Sequence, residues 1–266
     1  MSLTASTIVD TLRSLAPPEL AEPWDNVGLL LGDASQPVER VLTCLTLSSD
    51  VADEAVDCGA QLIVSHHPVL FRAVKSLTTA TAEGRTLLKL LAAGIAVYSP
   101  HTAYDSSTDG INAQLAAAFG LMGVTPLRPA TLPNLVTAGG GRVGTLPRPL
   151  PLADFLQHIK STLKIDRLQY ATESAATISR VAVACGSAAE FISDAVRAGC
   201  QALVTGEARF HACLEARDAG LVLVLAGHYA TERPGVEQLA RMLVTAHPGL
   251  SAQASARESD PVLWSV

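Results

Sequence analysis

The chain has 266 residues, of which 48% are hydrophobic and 17% charged, and its formal net charge at pH 7 is −6. These values are typical of a globular protein with a sizeable core, and an acidic chain without a Lys/Arg cluster argues against nucleic acid or an anionic membrane as its partner. They do not exclude a phosphorylated substrate, because a bound metal ion could supply local positive charge.

The N-terminal residues and the cysteines indicate in which cellular compartment we expect the protein. Residues 1–20 have an amphipathic pattern with acidic residues, which predicts a helix and not a signal peptide. No apolar run approaches about 18 residues, so we expect no membrane span. The five cysteines form no CxxC pair, and we expect a cytoplasmic protein with reduced thiols that are buried at Cys44, Cys58, Cys185 and Cys200.

Short apolar segments alternate with amphipathic segments between residues 40 and 120. The pattern predicts strands at residues 40–47, 61–65 and 95–99, and helices at residues 49–58, 83–94 and 109–120. This alternation predicts an α/β fold, with mixed sheets whose strands are at least partly parallel and with helices on their faces.

Residues 125–150 interrupt the alternation, since proline, glycine and threonine dominate there. We interpret this stretch as a connector between a first α/β half, residues 1–124, and a second α/β half, residues 151–266. The segment GRVGTL within the connector could itself be a strand.

The second half repeats part of the first, so that the two halves are predicted to be pseudo-symmetric. With residue n aligned to residue n+140, residues 40–65 match residues 180–205 at seven of 26 positions. Shared strand–helix–strand patterning could produce part of this identity. The following residues strengthen the repeat, because each half continues with Ala-Gly, an apolar strand and a His-x-x-x-acid motif, HTAYD ending at Asp105 and HYATE ending at Glu232.

Histidines and carboxylates collect just beyond the predicted strands, at the edge where open α/β sheets bind ligands. Four imidazoles and two carboxylates exceed the three protein ligands of a typical catalytic zinc site, and they suit two divalent metal ions in a cleft between the halves. Mixed nitrogen and oxygen ligands favour Zn, Mn, Fe, Co or Ni over Mg or Ca. The predicted ligands are His66, His67, His101, Asp105, His228 and Glu232.

Each of these residues also has an ordinary structural interpretation. A single histidine after a strand is usually a surface or hydrogen-bonded residue, and Asp105 suits a turn or a helix cap. Thr231 and Glu232 could begin a helix whose first turn contains Pro234. It is the joint placement of four of the seven histidines at matching strand ends that favours metal binding.

The motif TGEARFH occupies the place in the second half that SHHPVLF occupies in the first. Gly206 and Glu207 therefore stand where the first half has its histidine pair. Glu207 and His211 are candidate catalytic residues, which would orient metal ligands or transfer protons, although both could simply begin a polar helix.

The segment EPWDNVGLLLGD is interpreted as a turn leading into a strand. Asp25 and Asn26 are expected to stabilise that turn, with a substrate contact as the alternative. The chain has no P-loop, no G-x-G-x-x-G fingerprint and no nucleophile elbow, and AGGGRVG lacks the spacing of a phosphate-binding loop. His158 and His247 are expected to be structural or exposed.

Several motifs together resemble those of the Nif-three-like family, which is also catalogued as GTP cyclohydrolase I type 2. In chain order they are WDNVGLLLG, VSHHPVLF, HTAYDSSTDGINAQLA, GRVGTL, VTGEARFH and GHYATE. The resemblance runs from about residue 5 to residue 250, and its most specific parts are HHP and GH-x-x-TE. The short connector is similar to that of the compact form, which has no inserted middle domain.

The resemblance implies a two-domain α/β fold with a dinuclear metal site, and commonly a ring-shaped homohexamer built from dimers. Matched by motif, the implied ligands are the histidine pair of HHP, Asp105 of HTAYD, and His228 with Glu232 of GHYATE. His101 matches a histidine that lines the same site.

Two functional hypotheses follow. In the first, the protein is a metal-dependent hydrolase of a nucleotide or a related phosphorylated small molecule, a substrate class that rests on the resemblance. In the second, it is a non-catalytic metal-binding adaptor or regulatory protein. We also predict that His66 and His67 contact different ions, because adjacent extended residues diverge and Pro68 favours an extended backbone at His67.

Overall fold

The computed structural model describes residues 3–173 and 177–265. The first part of the chain alternates strands and helices. Its elements are α1 (Ala5–Leu15), β1 (Gly28–Leu31), β2 (Arg40–Cys44), α2 (Ser49–Asp57), β3 (Leu62–Ser65), α3 (Ala82–Ala92), β4 (Ala96–Ser99), α4 (His101–Ser106) and α5 (Ile111–Ala118).

The second part begins with two long strands and then alternates in the same manner. Its elements are β5 (Met122–Pro129), β6 (Gly139–Pro151), α6 (Leu152–Leu163), β7 (Gln169–Ala171), β8 (Thr177–Val183), α7 (Ile192–Arg197), β9 (Ala202–Thr205), α8 (Phe210–Asp218), β10 (Val222–Leu225), α9 (His228–Ala246) and β11 (Ser251–Ala254).

The strands and helices predicted between residues 40 and 120 are confirmed, with shifts of a few residues at their ends. The largest shift is in β2, which ends at Cys44 and not at residue 47. The backbone N–H groups of Leu45 and Thr46 donate to the carboxylate of Glu258, so the strand stops where these donors leave the sheet. GRVGTL lies within β6, which confirms that it is a strand.

Contacts divide the chain into two compact units, Met1–Tyr104 with Arg233–Val266, and Asp105–Glu232. These bounds differ from the predicted halves. The last part of the chain belongs to the first unit because β11 pairs with β2, and residues 125–150 belong to the second because β6 pairs with β5 and β8.

Each unit has its own mixed sheet, which confirms the predicted fold class. Over the described residues, the first sheet has five strands in the order β1-β4-β3-β2-β11, and only β1 among them is antiparallel to its neighbour. The second sheet has six described strands in the order β5-β6-β8-β9-β10-β7, of which β8, β9 and β10 are parallel. The parallel strands β3, β4 and β9 are buried along their whole length, as expected where helices cover both faces.

The repeated residues make repeated contacts, so the match between the halves is more than shared patterning. The side-chain oxygen of Gln61 accepts hydrogen bonds from the N–H groups of Glu39 and Arg40. The side-chain oxygen of Gln201, 140 residues later, accepts the same two bonds from Ser179 and Arg180. Both glutamines therefore fix the start of a parallel strand in the same manner.

Helices in both units bury apolar faces, and three helices of the first unit also have side-chain caps. Thr4, Ser48 and Thr81 cap α1, α2 and α3 by accepting a backbone N–H bond in the first turn. Each fully buried aliphatic side chain beneath them contributes roughly 1.5–3 kcal/mol. No described helix has the length and apolar character needed to cross a membrane. The five cysteines form no disulfide, and Cys44 and Cys185 are buried while the other three are partly exposed.

Candidate metal centre

The histidine pair follows β3 directly, and its backbone is held in line with the sheet. The N–H groups of His66 and His67 donate to the carbonyl oxygens of Cys44 and Leu45, which extends the pairing of β3 with its neighbour. The carbonyl oxygen of His66 accepts from the hydroxyl of Ser99, and that of His67 accepts from Ser65. The positions of both imidazoles are therefore set by the buried end of the sheet.

Three imidazoles of the first unit form a compact cluster at this end of the sheet. His66, His67 and His101 each offer a ring nitrogen, and the three nitrogens lie within 4.8 Å of one another. The rings of His66 and His67 are 5.3 Å apart and tilted by 50°, and the ring of His66 is also 5.3 Å from that of His101. His66 is only 1% exposed. That the two adjacent histidines contact different ions stays a prediction.

Asp25 lies behind His101 and fixes the orientation of its ring. One carboxylate oxygen is 2.7 Å from Nδ1 of His101, and the other accepts from the N–H and the hydroxyl of Thr102. The Asp25 side chain is 0% exposed. Burial alone would raise the pKa of Asp25, but the hydrogen bonds from His101 and Thr102 outweigh it and lower that pKa. An ionised Asp25 accepts the Nδ1 proton, so Nε2 of His101 is the nitrogen that would bind a metal.

His101 is also held in an uncommon backbone conformation, with φ +26°. A non-glycine residue in this region costs about 1–2 kcal/mol. The contacts of Asp25 with His101 and Thr102 stabilise the start of α4 and offset that cost. Strain of this kind is concentrated at functional sites.

Thr46 plays the corresponding part for His67. Its hydroxyl oxygen is 2.7 Å from Nδ1 of His67. If the hydroxyl accepts the Nδ1 proton, Nε2 of His67 is the coordinating nitrogen, as in His101.

In the second unit, His228 and Glu232 lie one turn apart on α9. Helix α9 begins at His228, so Pro234 lies inside it and not in its first turn. Nε2 of His228 is 3.0 Å from Oε2 of Glu232. Gly186 makes room for this pair: it has φ +63°, and a Cβ there would collide with the Glu232 carboxylate and lie 3.3 Å from Nε2 of His228.

Glu207 contacts the other nitrogen of His228. Its carboxylate oxygen is 3.1 Å from Nδ1, and its side chain is 59% exposed. The hydrogen bond to Glu232 is the largest cause of the raised pKa of His228, about 9, to which Glu207 adds and which burial opposes. The protonated ring is thus stabilised by two carboxylates, and a metal that binds Nε2 has to displace a proton.

Asp105, also in the second unit, is held by neutral donors. One carboxylate oxygen is 3.2 Å from Sγ of Cys185, and its backbone oxygen accepts from the amide of Asn112. The Asn112 side chain in turn accepts from the N–H of Cys185. Burial and the nearby carboxylates of Asp105 and Glu232 raise the pKa of the Cys185 thiol, which therefore stays protonated and donates to Asp105.

The other histidines have separate surroundings. His211 lies at the start of α8, is exposed, and packs edge-on against the ring of Phe210. His158 contacts the carbonyl oxygen of Phe119, and His247 contacts the hydroxyl of Thr11. The contacts of these last two are structural, as their sequence positions suggest.

The donors in each unit fit a divalent transition metal. Three imidazoles with converging nitrogens, and an imidazole beside a buried carboxylate, are the nitrogen and oxygen donors that such ions prefer. Oxygen atoms that contact Nδ1, as at His67, His101 and His228, are typical of histidines that coordinate a metal through Nε2.

The positioning roles of Asp25 and Thr46 were not predicted from the sequence. Asp25 was expected to stabilise a turn, and it does contact the N–H of Asn26, but its main partner lies 76 positions away. Thr46 was predicted only as part of the strand at residues 40–47, and its contact with His67 spans 21 positions. The sequence signal nearest to these contacts was the Trp-Asp-Asn motif before β1, and this motif does not identify His101 as the partner of Asp25.

Comparisons with known proteins agree with the resemblance. The family model Duf34/NIF3 (NGG1p interacting factor 3) matches residues 3–261. A Clostridium acetobutylicum protein named GTP cyclohydrolase 1 type 2 homolog is 31% identical over 91% of this chain and 90% of its own length. The Schizosaccharomyces pombe Protein NIF3 homolog is 35% identical over 86% and 84%. The crystal structure of a Bacillus cereus protein related to NIF3 matches all of both chains with a TM-score of 0.91 at 22% identity, which supports the fold alone.

Proposed function

The chain belongs to the Duf34/NIF3 family, and from that premise we propose that it is a dinuclear metal-dependent hydrolase acting on a nucleotide or a related phosphorylated small molecule. The nucleotide substrate is suggested by the names of curated relatives, which are called GTP cyclohydrolase 1 type 2 homologs. The observation that carries the proposal is the cluster of His66, His67 and His101, whose ring nitrogens lie within 4.8 Å of one another.

The proposed ligands come from both units. The first unit supplies the three clustered imidazoles, and the second supplies His228 and two carboxylates, Asp105 and Glu232. We propose that they hold two divalent ions of Zn, Mn, Fe, Co or Ni, because these ions accept mixed imidazole and carboxylate ligands. When bound, such ions would lower the pKa of a coordinated water and polarise the substrate.

Side chains of the protein would orient the metal ligands and transfer protons. Asp25 keeps the imidazole of His101 in the tautomer that exposes Nε2, and a Thr46 hydroxyl that accepts from Nδ1 would do the same for His67. Glu207, which contacts His228 and is largely exposed, orients that ring and can accept a proton from solvent or substrate. His211 is the second candidate for proton transfer, from the exposed start of α8. A homohexamer is part of the proposal on family resemblance.

Metal analysis and turnover assays test this proposal. The purified protein should contain about two divalent ions per chain and hydrolyse at least one member of a nucleotide and phosphoester panel. Glu232→Ala should abolish that turnover, whereas Glu237→Ala, a partly exposed glutamate on the same helix, should retain it. Stoichiometric metal without any turnover that depends on Glu232 would refute the hydrolase and favour a metal-binding adaptor.

A further inference from the structure

Glu258, close to the C-terminal end of the described chain, is a buried carboxylate that contacts backbone next to the histidine cluster. Its side chain is 6% exposed. One oxygen accepts from the N–H of Leu45 at 2.9 Å, and the other accepts from the N–H of Thr46 at 2.6 Å. Both carboxylate oxygens are thus engaged by successive residues at the point where β2 ends.

These contacts fix the backbone from which the Thr46 side chain reaches His67. Thr46 is exposed, so packing does little to place it. Its hydroxyl nevertheless lies 2.7 Å from Nδ1 of His67. A hydrogen bond this short requires a defined backbone at Thr46, and the bond to Glu258 provides it.

A second contact of Glu258 leads to the neighbour of another proposed ligand. Nε of Arg233 is 3.3 Å from the Glu258 carboxylate, and Arg233 directly follows Glu232 in the sequence. The Arg233 guanidinium also donates to the carbonyl oxygen of Ser255. Glu258 therefore contacts both Thr46, which orients the proposed ligand His67, and Arg233, which adjoins the proposed ligand Glu232.

The same C-terminal segment has another anchor that involves neither Thr46 nor Glu258. Asp57 at the end of α2 accepts a hydrogen bond from the guanidinium of Arg257. It holds the segment against α2, and this contact leads to no proposed ligand. Asp57 thus provides a control for the part of the role of Glu258 that only attaches the segment.

We infer that Glu258 is a positioning residue of the metal centre, which acts through Thr46 on His67. The inference rests on the proposed metal centre. It assigns to the C-terminal segment a part in metal binding that the histidine and carboxylate motifs do not indicate. Its direct consequence is that Glu258 and Thr46 bias His67 toward the tautomer protonated at Nδ1.

The first test measures Zn²⁺ affinity of the full-length chain by competition with a chromophoric chelator. Thr46→Val and Glu258→Gln should each weaken binding about 10-fold, within the range known for residues that hold metal ligands in place. Thr46→Ser, which keeps the hydroxyl, and Asp57→Asn should stay within about two-fold of the wild type. The double variant Thr46→Val/Glu258→Gln should bind no more weakly than the worse single variant, because Glu258 acts on His67 through the hydroxyl that Thr46→Val removes.

The second test records the His67 tautomer in the metal-free protein by ¹⁵N NMR. Thr46→Val and Glu258→Gln should both lower the fraction protonated at Nδ1, and Asp57→Asn should not. If Glu258→Gln does not fold, Glu258→Asp takes its place, since it keeps the charge facing Arg233 but withdraws the carboxylate from the two N–H groups.

The outcomes separate this inference from the proposed function. Wild-type protein that binds no Zn²⁺ refutes the metal centre and with it the role in metal binding, and the tautomer measurement then decides only whether Glu258 acts through Thr46 on His67. An unchanged tautomer in both Thr46→Val and Glu258→Gln, or a loss of affinity in Asp57→Asn equal to that in Glu258→Gln, overturns it.

Discussion

His101 and His228 stand at equivalent places in the two units, yet their rings are held in opposite surroundings. Each is the first residue of a helix that follows a strand of the parallel core, and each is followed four residues later by a carboxylate. Nδ1 of His101 meets Asp25, which is 0% exposed, whereas Nδ1 of His228 meets Glu207, which is 59% exposed.

The difference indicates that the two halves of the repeat have diverged around their equivalent histidines. A buried carboxylate interacts strongly with its partner because water does not screen the pair, while an exposed pair contributes little. The first unit has three clustered imidazoles, one of them held by a buried carboxylate, and the second has one imidazole between a buried and an exposed carboxylate. Thr46 and Gly186, which align in the repeat, illustrate this: Thr46 contacts His67, whereas Gly186 leaves room for Glu232.

Metal removal should have the largest effect and should involve both units. At free Zn²⁺ about 100 times the dissociation constant, binding adds about 2.7 kcal/mol to the free energy of unfolding, and a chelator removes it. Hydrogen exchange should then increase both at His66–His67 and at the start of α9. If protection against hydrogen exchange is lost in one unit alone, the assignment of metal ligands to both units is wrong.

Asp25→Asn should weaken Zn²⁺ binding about 10- to 100-fold, because Asn cannot stabilise the Nδ1 proton of His101 as a buried carboxylate does. The control is Asp33→Asn, an exposed aspartate of the same unit that contacts Ser35. Isothermal titration calorimetry measures the Zn²⁺ affinity of both variants. Equal affinity of Asp25→Asn and the wild type would remove the distinction between the two histidines.

Gly186→Ala should lower stability and also weaken metal binding in the second unit. Its φ of +63° costs an alanine about 1 kcal/mol, and the new Cβ would displace the Glu232 carboxylate. Gly199→Ala has a similar φ of +70° and open space around its Cβ, so it should lose only stability. Thermal unfolding with and without Zn²⁺ separates the loss of stability from the loss of metal binding. An equal stabilisation by Zn²⁺ in Gly186→Ala and Gly199→Ala would contradict the role of Gly186.

Glu207→Gln should have the smallest effect, less than about five-fold in Zn²⁺ affinity, because an exposed ion pair contributes about 1 kcal/mol at most. Glu215→Gln on α8 is the control. A loss as large as that in Asp25→Asn would show that exposure does not decide the strength of these contacts, and the comparison between the units would fail.

The fold was largely predictable from the sequence, since hydrophobic periodicity located the parallel strands and the repeat located their partners in the second half. The contacts that orient the histidines were not, because they join residues distant in sequence. Asp25 and His101 are 76 positions apart, and Glu258 and Thr46 are 212 apart. Local patterns describe strands and turns, whereas such pairs depend on how the sheet, the N-terminal segment and the C-terminal segment pack together.

The metal content of the natively purified protein tests the central claim most directly. Elemental analysis together with titration of the metal-free chain with Zn²⁺ should give two ions per chain, and loss of His101 or His228 by substitution with Ala should reduce that number. Fewer than about one ion per chain, or a stoichiometry that neither substitution changes, would contradict a centre built from these residues.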